Sequence, residues 1–178
     1  DTDVKEVVKQ GAKILLDPHS QYLCRGIYGV PLVLTTHSAT ELSTNLVPDI
    51  KGTSQLVGMG LGSSLTGKHF DRIFTDDIVN INDRISKAER ERTKLIYQEL
   101  INVKNRGGKI TNTGTPWHPD DAFSIMPPAE QYNCYHPEIA KIITPKDLAE
   151  IKESMSPSLF AANYELRHIA SEEVIFTD

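Results

Sequence analysis

A chain of 178 residues, 39% hydrophobic and 24% charged, has the composition of an ordinary globular protein and room for one domain with a real core. No apolar run approaches the roughly 18 residues of a membrane span, no basic-then-apolar leader opens the chain, and Cys24 and Cys134 are too few for a disulfide framework, which points to a reducing, cytoplasmic setting. The formal net charge of −5 excludes a surface that is basic all over, and a first residue of Asp1 rather than Met is expected of a piece of a longer chain.

Residues 3–16, DVKEVVKQGAKILL, place apolar side chains at 4, 7, 8, 12, 15 and 16, which predicts a helix ended by Asp17-Pro18. VPLVLTT, ELSTNLV and SQLVGMGLG read as strands. PDIKGT is a turn, and IKGT between two strand-like runs suggests a hairpin. RIFTDDIV is a short apolar run of the kind buried on both faces of a parallel sheet. Ser86-Lys-Ala-Glu89 forms a capping box that opens a long helix closed by Gly107-Gly108, with Leu95, Ile96, Leu100, Ile101 and Val103 as its buried stripe. KITNTGT is the next strand and ends in the rigid corner PWHPDD. A short strand near YNCYH, a helix over 146–155 and a last helix through SLFAANYEL complete the chain. Strand, long helix and strand make a βαβ unit, so the expected class is α/β with a mainly parallel sheet.

Charge is unevenly spread. Residues 84–109 carry eight basic side chains against Glu89, Glu91 and Glu99, which leaves the rest of the chain at −10. Such a segment is either a solvated helix face or a local phosphate-contacting surface.

The stretch GSSLTGKHFDRIFTDD (62–77) begins as G-x-x-x-x-G-K, with Gly62, Gly67 and Lys68 in register. A phosphate-cradling loop needs a helix directly after it and a Ser or Thr after the lysine. Here His69 takes the hydroxyl's place, and only Phe70 and Asp71 precede the apolar run. Residues 62–69 therefore read as a glycine-rich connection between strands, expected to bind ATP no tighter than about millimolar.

That connection leads into an apolar strand ending in Asp76-Asp77, which fits a Walker B element. The first carboxylate can hold Mg²⁺ through its water shell, and the second can polarise a water for attack on a γ-phosphate. An ordinary turn is the other reading of an Asp pair. The neighbouring strand brings Thr113 and Thr115 to its own C-terminal end, the edge at which open α/β sheets bind ligands. A central strand carrying Asp76 and Asp77, flanked by the strand of Thr113, is the arrangement this reading expects. Asp76 on an edge strand, or Thr113 at the opposite end of the sheet, would sink it.

These residues match a family. GMGLGSSLTGKHFDRIFTDDIV, a long helix and TNTGTPWHPDDAFSIM resemble the ATPase domain of the large terminase subunits of tailed bacteriophages and prophages, which package viral DNA into procapsids. SPSLFAANYEL is similar to the segment that closes that domain. The likeness is close over roughly 55–126 and loose over 1–54 and 140–178. T-G-x-x-x-D-x-x-x-x-D-D and G-T-x-W-H are specific in combination.

The resemblance implies a RecA-like P-loop ATPase core lacking its Walker A segment in this chain. Residues 1–178 then form a single domain, the C-terminal portion of the ATPase domain, with the nuclease domain absent. Asp76 corresponds to the Walker B metal carboxylate and Asp77 to the catalytic one, which is Glu in many relatives. Thr113-Gly114-Thr115 resembles the coupling motif. Where some relatives carry Arg-Gly, and use the Arg as a finger on a neighbouring subunit, this chain has Thr66-Gly67, and Lys68 is the nearest substitute. The implied cofactors are ATP and Mg²⁺. The implied partners are double-stranded DNA, the portal protein, the small terminase subunit and further copies in a ring on the procapsid, with no membrane. The implied location is the host cytoplasm, transiently at the portal. The family's Walker A loop precedes the first helix and its nuclease follows Asp178, so the chain alone is expected to be a poor ATP hydrolase. Another RecA-like ATPase such as a helicase, a metal-dependent hydrolase using His118, Asp120 and Asp121, and a non-enzymatic scaffold are the alternative readings. HPDD is better explained as a corner that caps DAFSIM.

Overall fold

The structure, a computed structural model, describes residues 2–47 and 52–167. The chain divides between His69 and Phe70 into two compact units. It is a mixed α/β protein in which each unit carries its own small sheet.

The first unit opens with α1 (Thr2–Leu16), whose Val8 and Ala12 pack with Leu42 into a small core edged by Leu15 and Leu34. Asp17-Pro18 ends α1 as expected, but the same two residues start α2 (Pro18–Tyr28), which the sequence reading missed. Asp17 accepts the His19 N–H at 2.8 Å as N-cap, and proline fits the first turn, where its missing N–H has no intrahelical partner anyway. Strands β1 (Leu34–His37), β2 (Glu41–Thr44) and β3 (Leu56–Val57) form an antiparallel sheet in that order. The hairpin expected from β2 to β3 is present as antiparallel pairing, while residues 48–51 of its turn lie outside the described residues. β3 is far shorter than SQLVGMGLG implied. Gly58 ends it against α1, where a Cβ would stand 2.5 Å from Val4 Cγ1, so this glycine serves packing.

The second unit is the βαβ unit read from the sequence. β4 (Phe70–Asp76) leads through α3 (Ile81–Ile85) and α4 (Lys87–Val103) to β5 (Lys104–Thr113), and the two strands pair in parallel. Asn80 and Asp83 form a reciprocal capping box on α3, a helix the reading had not drawn. Ser86 caps α4 by accepting the Glu89 N–H, but the box is only half made, because the Glu89 carboxylate turns to Arg92.

The glycine pair has a different job from the one expected. α4 stops at Val103, and Gly107 and Gly108 lie inside β5 at an irregularity where Phe70 faces Lys104 but Arg72 faces Lys109. Gly107 has φ +80°, and a Cβ on Gly108 would come within 2.9 Å of the Asp71 carbonyl. Both features belong to a bulge that needs glycine. The stripe on α4 is also rotated. Thr93 and Tyr97 are buried and Leu100 packs beside them, whereas Leu95 is 63% exposed and Ile101 is exposed too.

The core of this unit is Ile78, Val79, Tyr97, Ala122 and Met126, with Leu100, Ile110, Trp117 and Phe123 packed around it. One face of the sheet looks toward it. There Thr75 donates to Asn112 Oδ1 at 2.8 Å, and Asn112 Nδ2 donates to the Tyr97 hydroxyl at 3.3 Å, so the buried polar groups satisfy one another. The alternating positions Arg72, Phe74 and Asp76 on β4, opposite Lys109, Thr111 and Thr113 on β5, are all exposed. RIFTDDIV is therefore not buried on both faces, since Phe74 is 76% exposed. Nor is β4 central. Among the described residues it pairs with β5 alone and is an edge strand, and the larger of the two sheets is the antiparallel one.

Beyond β5, a 3₁₀ turn (Ala122–Ile125) follows the PWHPDD corner, and a second spans Ile139–Lys141. The strand expected near YNCYH is a turn instead. Asn133 Oδ1 accepts the Tyr135 N–H and the Asn133 carbonyl accepts that of His136, an Asx turn that bends the chain before Pro137. Helix α5 (Pro145–Ser154), with a complete Thr144/Asp147 capping box, and α6 (Pro157–Asn163) close the described chain.

Candidate functional site

Parallel pairing carries β4 and β5 to the same sheet end in step, with Asp76 directly opposite Thr113. Thr113 Oγ1 lies 2.9 Å from Asp76 Oδ1 and 3.0 Å from the Thr75 carbonyl. One hydroxyl proton serves two acceptors, so Thr113 can hold the Asp76 carboxylate or turn to the neighbouring backbone. Asp76 is exposed on the open face.

The chain breaks from the sheet at the next residue. Asp77 has φ +46°, the left-handed region that ordinary L-residues avoid and Asp tolerates. Its N–H donates to the Thr113 carbonyl at 3.2 Å, adding one bond beyond the end of β4. Ile78 and Val79 then plunge into the core, and this anchorage fixes the turn. Gly114, with φ +150°, follows the end of β5 beside Asp77, and Thr115 comes next, outside helix and strand. Thus Asp76, Asp77, Thr113 and Gly114 come together at one strand-end site, and Thr115 stands two residues beyond Thr113 on the way into the corner.

Lys68 belongs to the first unit. Its ammonium donates to Glu41 Oε1 at 3.3 Å, and Ser54 donates to Glu41 Oε2 at 3.0 Å. These bonds, Ser54's first and Lys68's second, hold the Glu41 carboxyl below its ordinary value. One of the three ammonium donors of Lys68 is thus engaged by Glu41. Residues 58–69 contain turns but neither helix nor strand, so no helix N-terminus follows Gly67-Lys68 to supply a phosphate cradle.

HPDD is a capped corner. Asp121, 1% exposed, accepts N–H bonds from Trp117 and His118 on Oδ2 and from Phe123 on Oδ1. His118 Nδ1 accepts the Asp120 N–H, and Asp120 pairs with Lys94 on α4. The carboxylates and imidazole a hydrolase would use for metal are engaged in shaping the chain. Among the described residues, no group of three or more His, Cys, Asp or Glu could hold a metal ion. The strand-end site carries two exposed carboxylates, Asp76 and Asp77.

The basic segment is partly neutralised from within. Arg92 pairs with Glu89 and Lys94 with Glu91 and Asp120, while Arg90 donates to the Asp83 carbonyl. Sequence reasoning missed the Thr75–Asn112–Tyr97 chain, although a Thr inside an apolar run and an Asn inside a strand were its visible signs. No protein-family model matches the chain, and no curated protein matches it.

Proposed function

We propose that this chain is part of the ATPase motor of a phage terminase large subunit, the portion that carries the Walker B and coupling elements and drives viral DNA into the procapsid. The observation that supports the reading is the in-register pairing of Asp76 with Thr113 at the C-terminal end of two parallel strands, with Asp77 next in the chain. In this reading Asp76 holds the water shell of Mg²⁺. Mg²⁺ held there by Asp76 would supply positive charge to offset that of the transferred phosphate. Asp77 accepts a proton from the attacking water, one methylene shorter than the Glu found in many relatives. Thr113 orients Asp76, and Thr113-Gly114-Thr115 carries the change at the γ-phosphate into the corner. Lys68 is the candidate cation toward a neighbouring subunit.

Among the described residues neither β4 nor β5 pairs with a further strand, and this sets a condition on the reading. A RecA-like core needs further strands beside them and a phosphate-cradling loop, neither of which lies among the described residues, and the reading fails if β4 remains an edge strand in the whole protein. Double-stranded DNA, the portal protein, the small terminase subunit and a ring of like subunits in the host cytoplasm, docked transiently at the portal, are the proposed partners and setting. The test is Mg²⁺-dependent nucleotide binding in a chain that includes the upstream loop. Asp76→Asn should weaken it and Asp77→Asn should spare it. Equal binding by wild type and Asp76→Asn, with and without chelator, would refute the metal role.

A further inference from the structure

Gly114 presents two requirements at once. Its φ of +150° is a conformation open mainly to glycine, and the place where a Cβ would stand is already occupied. That atom would lie 3.2 Å from Asp77 Oδ1, 3.3 Å from Phe123 Cζ and 3.4 Å from Asp77 Cα. The first two distances are tighter than ordinary van der Waals contact, so both neighbours must give by a few tenths of an ångström. Phe123 is half-buried and packs against the Ile78–Val79–Tyr97–Ala122–Met126 core. The Asp77 carboxylate is exposed, and its backbone already stands in the left-handed region. A side chain at 114 therefore displaces the Asp77 carboxylate, the nearer and more exposed neighbour, besides pressing on Phe123.

We infer that Gly114 is a positioning residue for Asp77: its missing Cβ lets the Asp77 carboxylate lie over the end of β5, and so sets the direction that carboxylate faces. The consequence for catalysis rests on the proposed function, in which Asp77 activates the attacking water. The geometric claim stands on the strand ends alone. It differs from a role in which Gly114 serves only its own backbone turn, because in that case the identity of residue 77 would not matter to the cost of a methyl at 114.

A double-mutant cycle on the 178-residue chain separates the two roles. Gly114→Ala should lower the folding equilibrium constant on the order of tenfold or more, as expected for a side chain forced into a glycine-only region. With Asp77→Gly, which removes the carboxylate, the same substitution should cost less by at least about twofold. Backbone φ and side-chain χ1 of Asp77, read from NMR scalar couplings, should change in Gly114→Ala. They should stay unchanged in Gly26→Ala, a helix glycine with nothing within 4 Å of its Cβ position. Equal costs in both backgrounds, or unaltered Asp77 torsions in Gly114→Ala, overturn the inference and leave the ATPase reading untouched. If Gly114→Ala alone does not fold, recovery of folding by Asp77→Gly supports the inference, and no recovery overturns it.

Discussion

Asp121 is the residue whose loss should do most damage next to the candidate site. It is 1% exposed, and its two carboxylate oxygens accept three backbone N–H groups, those of Trp117 and His118 at 2.8 and 2.9 Å and that of Phe123 at 2.9 Å. Hydrogen bonds to an ionised acceptor contribute about 1.5–3 kcal/mol net, and neutral ones about 0.5–1.5 kcal/mol. Asparagine keeps one oxygen. Turned toward Trp117 and His118, it preserves two bonds in weaker neutral form and sets an NH₂ against the Phe123 N–H, losing a cap valued at ~1 kcal/mol. Asp121→Asn should therefore cost about 2 kcal/mol. Asp121→Ala, which abandons all three donors, should cost about 4 kcal/mol. Urea unfolding followed by circular dichroism measures both, with an unchanged m-value as the check that only stability has moved. Trp117, the single tryptophan, reports on the corner by its fluorescence. An Asp121→Asn protein within ~0.5 kcal/mol of wild type, with unaltered Trp117 emission, would refute the account of this corner.

Two further predictions concern the same unit. Thr113→Val keeps the β-branched shape and removes the hydroxyl, so it should cost ~1 kcal/mol in urea unfolding, whereas Thr113→Ser should stay within ~0.5 kcal/mol of wild type. A Val variant as stable as wild type would mean that Asp76 gains nothing from the hydroxyl. The Lys94 bond holds the Asp120 carboxyl below its ordinary value, and the Asp120 bond in turn raises the Lys94 ammonium. A lowered carboxyl stabilises the fold above its unfolded value near pH 4 and is lost as pH falls through the folded one. A raised ammonium stabilises it below about pH 10 and is lost as pH rises through its own folded value. Asp120→Asn should thus lower Tm across roughly pH 4 to 10 and converge with wild type in more acid solution, and a gap independent of pH would count against the pair.

The βαβ unit was legible because its signals are local: an apolar run closed by Asp76-Asp77, a Ser86 cap and a second strand ending in Thr113. What failed in the sequence reading depended on partners distant in the chain. Asp17-Pro18 is a stop signal for α1 and a start signal for α2, and nothing within the pair says that a helix resumes at once. Gly107-Gly108 looks like a helix terminus, yet its conformation answers to Asp71 across the sheet. On α4 two overlapping stripes fit the helical period, and the choice of Tyr97 over Leu95 is made by Asn112 on β5. Phe74 is exposed because, among the described residues, a helix covers only one side of its sheet, a matter of which layers exist rather than of the strand's own pattern. At the site, Asp76, Asp77, Thr113 and Gly114 converge at the ends of β4 and β5 whereas Lys68 is engaged by Glu41 in the first unit, and the left-handed Asp77 and the close approach of Gly114 emerge only in three dimensions.

The central claim is that Asp77 is the carboxylate that activates water. ATP turnover by a chain that includes the upstream phosphate-binding loop, compared between wild type and Asp77→Asn at saturating Mg²⁺-ATP, tests it most directly. An amide cannot accept the proton, so kcat should fall by at least ~10²-fold while nucleotide affinity holds. Turnover within a few-fold of wild type would place the catalytic carboxylate elsewhere and contradict the assignment.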